Sequence, residues 1–176
     1  MINHTLIRKA HSGDAGMIAK IYVDSWRKTY KDILPRFYLA RLTYKQAVRS
    51  VQNELMAPGH IHLIAEDPRG EATGDICGGP ERSGYGVYSA EVYELYVSPF
   101  FQRQGIGRQL LSALAAHLYE RNFYSLIVWV LASNPNHRFY EKVGGLYLGA
   151  KPISFAGKKL QAAAYGWIDI TLAMEM

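Results

Sequence analysis

The sequence predicts a mixed α/β fold, in which helices flank a sheet, and three observations carry this prediction. Short apolar segments alternate with segments whose apolar residues recur at helical spacing. Residues 126–131 are apolar at every position, which is typical of a strand covered on both faces. Turns rich in glycine, proline, asparagine and aspartate separate the segments. Because no linker or internal repeat interrupts this pattern, we expect a single domain over residues 1–176.

The first half of the chain is predicted to contain three helices and three strands. Ser12 or Asp14 can cap the first helix, and Thr43 with Gln46 forms a capping box for the third. In chain order we expect a strand over 5–10, a helix to about residue 30, a short helix over 36–42, a helix to about residue 56, strands over 61–66 and 71–78, and an exposed loop over 79–89.

The second half is predicted to alternate strands and helices before it ends in a hairpin. Asn134 and Pro135 suit the first positions of a short helix, and Gly144 with Gly145 ends it. In chain order we expect a strand over 90–97, a helix over 105–121, a strand over 126–131, this short helix, and strands over 146–155 and 160–170 with a turn at 157–158.

Composition excludes several classes of protein. Cys77 is the only cysteine and the histidines have no ligand-like spacing, so we expect neither a disulfide nor a metal. The formal net charge of +5 suits an anionic cofactor or a nucleic acid. No cluster of Lys and Arg with interleaved aromatic residues is present, so we expect no nucleic-acid partner. Without a long apolar run or a signal-peptide pattern, we expect a cytoplasmic protein that does not bind membranes.

One stretch is typical of an anion-binding site. The predicted strand 90–97 leads into a loop with two glycines, Gly105 and Gly107, which opens directly into an amphipathic helix. The first N–H groups of a helix have no intrahelical partner and lie at the positive end of its dipole. Glycines let a phosphate approach the backbone, and Arg103 and Arg108 add positive charge. The stretch therefore predicts a phosphate-bearing cofactor, although its spacing fits neither a P-loop nor a Rossmann fingerprint.

Residues 102–107, Gln-Arg-Gln-Gly-Ile-Gly, fit every fixed position of the pattern [QR]-x-x-G-x-[GA]. This pattern is the acyl-CoA signature of the GCN5-related N-acetyltransferase (GNAT) superfamily, which the chain resembles. The pattern E-x-x-x-L-Y-V-x-P before the loop and N-P-x-x-x-F-Y-E-K-x-G-G after the next strand extend the resemblance, which is best over residues 90–145. It implies a GNAT-like fold with a central, mixed, mostly antiparallel twisted sheet and a splayed strand pair at the cofactor site.

The resemblance also implies a function and a cofactor site. The function is direct acetyl transfer from acetyl-CoA, as co-substrate, to a primary amine of a small molecule, peptide or protein. The implied cofactor-binding residues are Leu95, Tyr96 and Val97, which pair with the pantetheine arm; Gln102, Arg103, Gln104, Gly105, Ile106, Gly107 and Arg108, which hold the pyrophosphate; and Asn134 and Tyr140. A β-bulge in the strand would expose the edge for this pairing, and the N–H of Val97 or its neighbour would polarise the thioester carbonyl.

The chemistry requires a base and an acid. An alkylammonium has a pKa of about 10.4, so a carboxylate is the natural base. Glu91 matches the strand glutamate that serves as base in the histone-modifying branch of the family. Glu94 is the alternative, but at an odd spacing it should face the other side of the strand unless a bulge intervenes. We therefore favour Glu91 as the base, and Tyr140 matches the family's general-acid tyrosine.

Other interpretations of the sequence stay open. The same scaffold could serve as a non-catalytic module that binds acyl-CoA, and a homodimer through the C-terminal strands is possible. The acceptor cleft would be formed by the first helices, loop 79–89 and the C-terminal hairpin. Several acidic residues could attract a cationic acceptor such as a polyamine there: Glu66, Asp67, Glu81, Glu91 and Glu94.

Overall fold

The computed structural model describes residues 5–175, which form one open seven-stranded sheet with helices on both faces. The elements are β1 (Leu6–Lys9), α1 (Ala15–Thr29), α2 (Arg36–Arg41), α3 (Tyr44–Leu55), β2 (Ile61–Glu66), β3 (Ala72–Pro80), β4 (Ala90–Val97), α4 (Ile106–Tyr119), β5 (Leu126–Leu131), α5 (Phe139–Lys142), β6 (Leu146–Phe155) and β7 (Lys158–Trp167). The predicted fold class is confirmed. No helix within residues 5–175 is both long and apolar enough to cross a lipid bilayer.

The strand order is β1-β2-β3-β4-β5-β7-β6, and every neighbouring pair is antiparallel except β4 and β5. These two parallel strands pair only at their first residues, where the last pair is Val92 with Val128. Beyond it β4 continues to Val97 and β5 to Leu131 without pairing to each other. The sheet is therefore splayed open between its two central strands, as the resemblance implied.

The core lies on both faces of the sheet because neighbouring residues of a strand point to opposite sides. Leu63 of β2 packs toward the apolar stripe of α4, which includes Leu110 and Leu114. The next residue, Ile64, packs instead toward α1 and α3, where it meets Ile18. These contacts fix α4 against the splayed strands and so determine where the N-terminus of α4 lies.

Several predicted elements have other boundaries in the structure, most clearly the short helix and the last strand. The short helix does not begin after Pro135, because the Asn134 side chain accepts a hydrogen bond from the N–H of Asn136 at 2.9 Å and closes a turn. Residues 135–138 form turns and α5 begins only at Phe139. The last strand ends at Trp167 rather than at residue 170, since Asp169 caps the 3-10 turn Ile170–Ala173.

Capping also differs from the expectation at the first helix. Asp14 precedes α1 without a side-chain cap bond, and its carboxylate instead accepts from the N–H of His11 at 2.8 Å. The guanidinium of Arg8 donates to the same carboxylate at 2.7 and 2.8 Å. At α3 half of the predicted capping box is present: the Thr43 hydroxyl accepts from the N–H of Gln46 at 3.3 Å and donates to the Gln46 side chain at 3.0 Å, but that side chain does not bond to the backbone N–H of Thr43.

Candidate active site

A cavity of about 390 Å³ lies where β4 and β5 separate. It is bounded by β4, the loop that follows, the N-terminus of α4, β5 and α5. The predicted site residues that line it are Glu94, Leu95, Tyr96, Val97, Gln102, Arg103, Gly105, Ile106, Gly107, Arg108, Asn134 and Tyr140. Of the predicted site residues, Glu91 and Gln104 are not among those that line the cavity.

One edge of β4 directs its backbone polar groups into this cavity. The N–H of Ser98 donates to the carbonyl of Thr73 at 2.8 Å, so these opposed residues form a hydrogen-bonded pair of the β3–β4 ladder. Hydrogen-bonded and non-hydrogen-bonded pairs alternate along an antiparallel ladder. The N–H and carbonyl groups of Val97 and Leu95 therefore point away from β3 and toward the gap. Gln102 Nε2 donates to the carbonyl of Val97 at 3.1 Å, which ties the loop to this edge.

The N-terminus of α4 presents unpaired backbone donors to the same cavity. Gly105 precedes the helix with φ of 84°, a left-handed conformation that glycine adopts without strain. The first intrahelical bond runs from the N–H of Gln109 to the carbonyl of Gly105 at 3.1 Å. The three preceding N–H groups, of residues 106–108, thus have no partner within the helix. A Cβ at Gly105 would meet nothing closer than 3.9 Å, so the backbone is open to a ligand.

Tyr140 and Asn134 approach the cavity from the segment after β5. Tyr140 is buried, and its ring lies between Phe139 and Tyr165 at centroid distances of 5.2 and 5.8 Å. Among residues 5–175 its hydroxyl has no hydrogen-bond partner, and burial raises its pKa, so it is a protonated donor at neutral pH. Asn134 Nδ2 donates to the hydroxyl of Tyr30 at 3.0 Å, which links this segment to α1.

A β-bulge brings Glu94 into the cavity. Cys77 lies opposite Glu94, whereas the next residue of β3 lies opposite Val92, so Tyr93 is the extra residue of β4. An extra residue reverses the alternation of side chains. Val92 and Leu95 consequently pack on the same α4 side of the sheet, and Glu94 shares the other face with Glu91. The bulge that the sequence left open is thus present.

Glu94 belongs to a buried polar cluster that the sequence did not predict. Its Oε1 lies 3.6 Å from Nε2 of His62, which is 3.3 Å from Oδ2 of Asp75. Burial first, and then the neighbouring Asp75 carboxyl, raise the pKa of Glu94 to about 8. Burial also raises the pKa of Asp75 well above its usual range and lowers that of His62. One ionisable residue inside each of three predicted strands was the signal that could have revealed this cluster.

Glu91 has a different environment. Its carboxylate accepts a hydrogen bond from the N–H of Arg82 at 3.1 Å and lies 3.8 Å from Nε of the same residue. Burial raises its pKa from the ordinary value for a glutamate. The structure thus brings Glu94 and Tyr140 to one cavity and leaves Glu91 behind Arg82, outside it.

The absence of a metal stays a prediction. The donor atoms of His62, Cys77 and Glu94 lie within 4.8 Å of one another, which the spacing of these residues along the chain did not indicate. Burial raises the pKa of the Cys77 thiol, so the thiolate that a metal would bind is disfavoured at neutral pH.

Comparison with known proteins identifies the family. The model of the Acetyltransferase (GNAT) family matches residues 13–145. The chain belongs to the GNAT family. An uncharacterized N-acetyltransferase of Bacillus subtilis (strain 168), YuaI, is 34% identical over 165 residues, which cover 94% of each chain.

Solved structures share the GNAT fold of this chain. A PaiA N-acetyltransferase of Thermoplasma acidophilum in complex with coenzyme A has a TM-score of 0.69 at 21% identity, with 90% of this chain and 97% of that chain covered. YncA of Salmonella typhimurium, a putative acetyltransferase solved with its cofactor acetyl-CoA, has a TM-score of 0.70 at 22% identity, with 93% of each chain covered.

Proposed function

We propose that this protein is an acetyl-CoA-dependent N-acetyltransferase that transfers the acetyl group directly to a primary amine of a small molecule, peptide or protein. One observation carries the proposal: a single cavity contains the open edge of β4, the N-terminus of α4, and the side chains of Glu94 and Tyr140. Membership of the GNAT family supports acetyl transfer. The complexes of two proteins of this fold with coenzyme A and acetyl-CoA support the choice of donor.

The chain's own groups fit the parts of acetyl-CoA. The unpaired N–H groups of residues 106–108 would hold the pyrophosphate, with Arg103 and Arg108 beside them. The N–H groups of Leu95 and Val97 and the carbonyl of Leu95, which face the gap, suit the amides of the pantetheine arm. When bound, acetyl-CoA supplies an activated acetyl thioester. The N–H of Val97 would hydrogen-bond to the carbonyl of that thioester.

Glu94 and Tyr140 would handle the protons. An ammonium acceptor must lose a proton before it can attack, at a cost of about 4–5 kcal/mol at pH 7. Because its pKa is raised to about 8, Glu94 is a stronger base than an ordinary carboxylate and suits this task better than Glu91, which lies outside the cavity. Tyr140, with its proton retained by burial, would donate to the departing sulfur.

The test is to follow release of the coenzyme A thiol while the protein is mixed with acetyl-CoA and a panel of amines. We expect release with some amines, and a large loss in Glu94→Gln and Tyr140→Phe, whereas Glu91→Gln retains most activity. A larger loss of activity in Glu91→Gln than in Glu94→Gln would indicate that Glu91 is the base. Binding of acetyl-CoA without thiol release from any amine would instead indicate the non-catalytic binding module, and absence of both would overturn the proposal.

A further inference from the structure

Two aromatic residues flank the point at which the sheet splits. Tyr93 follows the last paired residue of β4, Trp129 follows that of β5, and both line the cavity. A cationic side chain lies over each ring. Cζ of Arg82 lies 3.6 Å from the ring centroid of Tyr93, and Nζ of Lys151 lies 3.9 Å from the ring of Trp129. Arg82 and Lys151 do not themselves line the cavity, but each lies on an aromatic ring that does, so a positive charge lies beside the cavity at each ring.

Arg82 contacts Glu91 within the protein, but much of its side chain is exposed to solvent. Its N–H and its Nε both face the carboxylate of Glu91, whose side chain is 8% exposed, whereas the side chain of Arg82 is 56% exposed. The Tyr93 hydroxyl donates to the carbonyl of Pro80 at 2.7 Å, so the ring beneath the guanidinium is anchored as well. Glu91 thus orients Arg82 while the outer N–H groups of the guanidinium face solvent.

Lys151 reaches Trp129 across a strand of small residues. Lys151 lies on β6 opposite Ala162 of β7, and Ala164 of β7 lies opposite Trp129. These alanines leave the path above β7 clear for the long lysine side chain. Trp129 Nε1 donates to the hydroxyl of Ser83 at 2.8 Å, which fixes the ring. Across residues 5–175, no carboxylate lies within ion-pair distance of Lys151.

Three of the acidic residues that could have favoured a cationic acceptor have partners within the protein. Glu66 pairs with Arg8, and Asp67 pairs with Arg69. Glu81 accepts hydrogen bonds from the N–H and hydroxyl of Ser83. Lys151 has no oppositely charged partner among residues 5–175, whereas Arg82 pairs with Glu91 and keeps more than half of its side chain exposed.

We propose that Arg82 and Lys151 bind an anionic group of the acceptor, which would make the acceptor a primary amine that also carries a carboxylate, phosphonate or phosphate. This inference rests on the proposed function. Stacking on fixed rings holds both cations in place before the acceptor arrives, so less conformational entropy is lost on binding. Guanidinium and ammonium donors to an anionic oxygen form charge-assisted hydrogen bonds, which neutral or cationic acceptors cannot form.

The kinetic test compares ω-amino acids with their primary amides and with diamines of matched chain length, which differ only at the end remote from the reacting amine. We expect kcat/KM to favour the amino acids over the amides by about tenfold, and Arg82→Met and Lys151→Met each to reduce this preference by about threefold. Turnover of the neutral amides should hardly change. Lys45→Met, which removes another exposed lysine, from α3, is the control and should leave the preference intact.

A binding test keeps this inference separate from the proposed function. Equilibrium binding of the same amino acids and diamines is measured by calorimetry, with and without saturating coenzyme A, on the wild type and on the Arg82→Met, Lys151→Met double variant. Tighter binding of the amino acids, lost in the double variant, supports the inference even if no amine is acetylated. Equal or tighter binding of diamines, an unchanged preference in the double variant, or no binding of the amino acids would overturn it.

Discussion

Nε2 of His62 lies 3.6 Å from Oε1 of Glu94 and 3.3 Å from Oδ2 of Asp75, so one nitrogen of a buried imidazole is close to two carboxyl groups. The side chains of His62 and Asp75 are 3% and 0% exposed. Taking charge out of water disfavours every ionised form in such a cluster. Glu94, at the cavity end, is the member through which the cluster can exchange a proton with a bound ligand.

The first prediction concerns the pH dependence of acetyl transfer. If Glu94 is the base, only its ionised form is active, so kcat/KM should rise by about tenfold per pH unit below its pKa and level off above it. With a pKa of about 8, the inflection falls near pH 8. The profile should be recorded with an acceptor whose own ammonium pKa is far from this value.

Asp75→Asn tests the cause of that inflection. The Asp75 carboxyl raises the pKa of Glu94, so its replacement should move the inflection to lower pH. The exposed Glu120→Gln serves as control and should leave the profile unchanged. An inflection in the ordinary carboxyl range of the wild type, or the same inflection in Glu94→Gln, would contradict the assignment.

The second prediction concerns Tyr140. Among residues 5–175 its hydroxyl has no partner, so Tyr140→Phe should fold normally and keep most of its affinity for coenzyme A. Loss of the proton donor should lower kcat by about 10²-fold. Steady-state kinetics and a coenzyme A titration measure the two effects. Tyr165→Phe, which alters the ring stacked on Tyr140, should keep most of kcat; equal losses in both variants would point to packing instead.

The third prediction separates the two glycines of the loop. Gly105 has φ of 84°, so Gly105→Ala should cost about 1–2 kcal/mol of stability. Gly107 is free of this restriction, and its Cβ would approach Phe139 Cζ at 3.4 Å beside the helix N-terminus. Gly107→Ala should therefore weaken coenzyme A binding more than it lowers stability. Thermal unfolding and coenzyme A titrations distinguish the two.

Gly16→Ala is the matched control for these substitutions. A Cβ at Gly16 of α1 would meet nothing within 4 Å, and alanine favours the helix by up to about 1 kcal/mol. This variant should gain stability and bind coenzyme A as the wild type does. Equal losses of affinity in all three variants would show that the loop has no special role.

The fourth prediction concerns the ion pair between Arg8 of β1 and Asp14, which immediately precedes α1. The Asp14 side chain is 1% exposed, so Arg8→Met leaves a buried carboxylate without its cation and should destabilise the protein by about 2–3 kcal/mol at pH 7. Arg8 holds the pKa of Asp14 below its usual value. The stabilisation is therefore present above the unfolded pKa of about 3.9 and is lost as pH falls through the folded pKa.

Chemical denaturation at several pH values measures this loss. The difference between wild type and Arg8→Met should narrow as the solution becomes more acidic. Lys20→Met breaks the exposed pair between Lys20 and Asp24 and should change stability by less than about 1 kcal/mol. A constant difference at all pH values would rule out the ion pair as its origin.

Local patterns in the sequence predicted most of the fold, and the loop before α4 predicted the cavity. The Gly105 turn and the α4 stripe depend on residues close together in the chain. The conformation of the short segment after β5 was harder to predict from the sequence, because the Asn134 side chain can close a turn as readily as it can cap a helix. The position of the Asn134 side chain depends on its hydrogen bond to Tyr30, which lies more than a hundred residues earlier in the chain.

The polar cluster could not be predicted because it depends on the register of three strands. His62 lies opposite Cys77, which in turn lies opposite Glu94. A single extra residue at Tyr93 decides whether Glu94 faces this cluster or the other side of the sheet. The same extra residue undermines the sequence-based preference for Glu91, which assumed regular alternation along the strand.

The separation of β4 from β5 also has a consequence for solubility. An unpaired strand edge on the outside of a protein invites pairing with strands of other molecules. Here the open edge lies in the middle of the sheet, with β3 on one side and β5, itself paired to β7, on the other. The backbone hydrogen-bonding groups of this edge are therefore accessible to a ligand in the cavity, but they are not exposed as an outer strand edge with which a second protein could pair and aggregate.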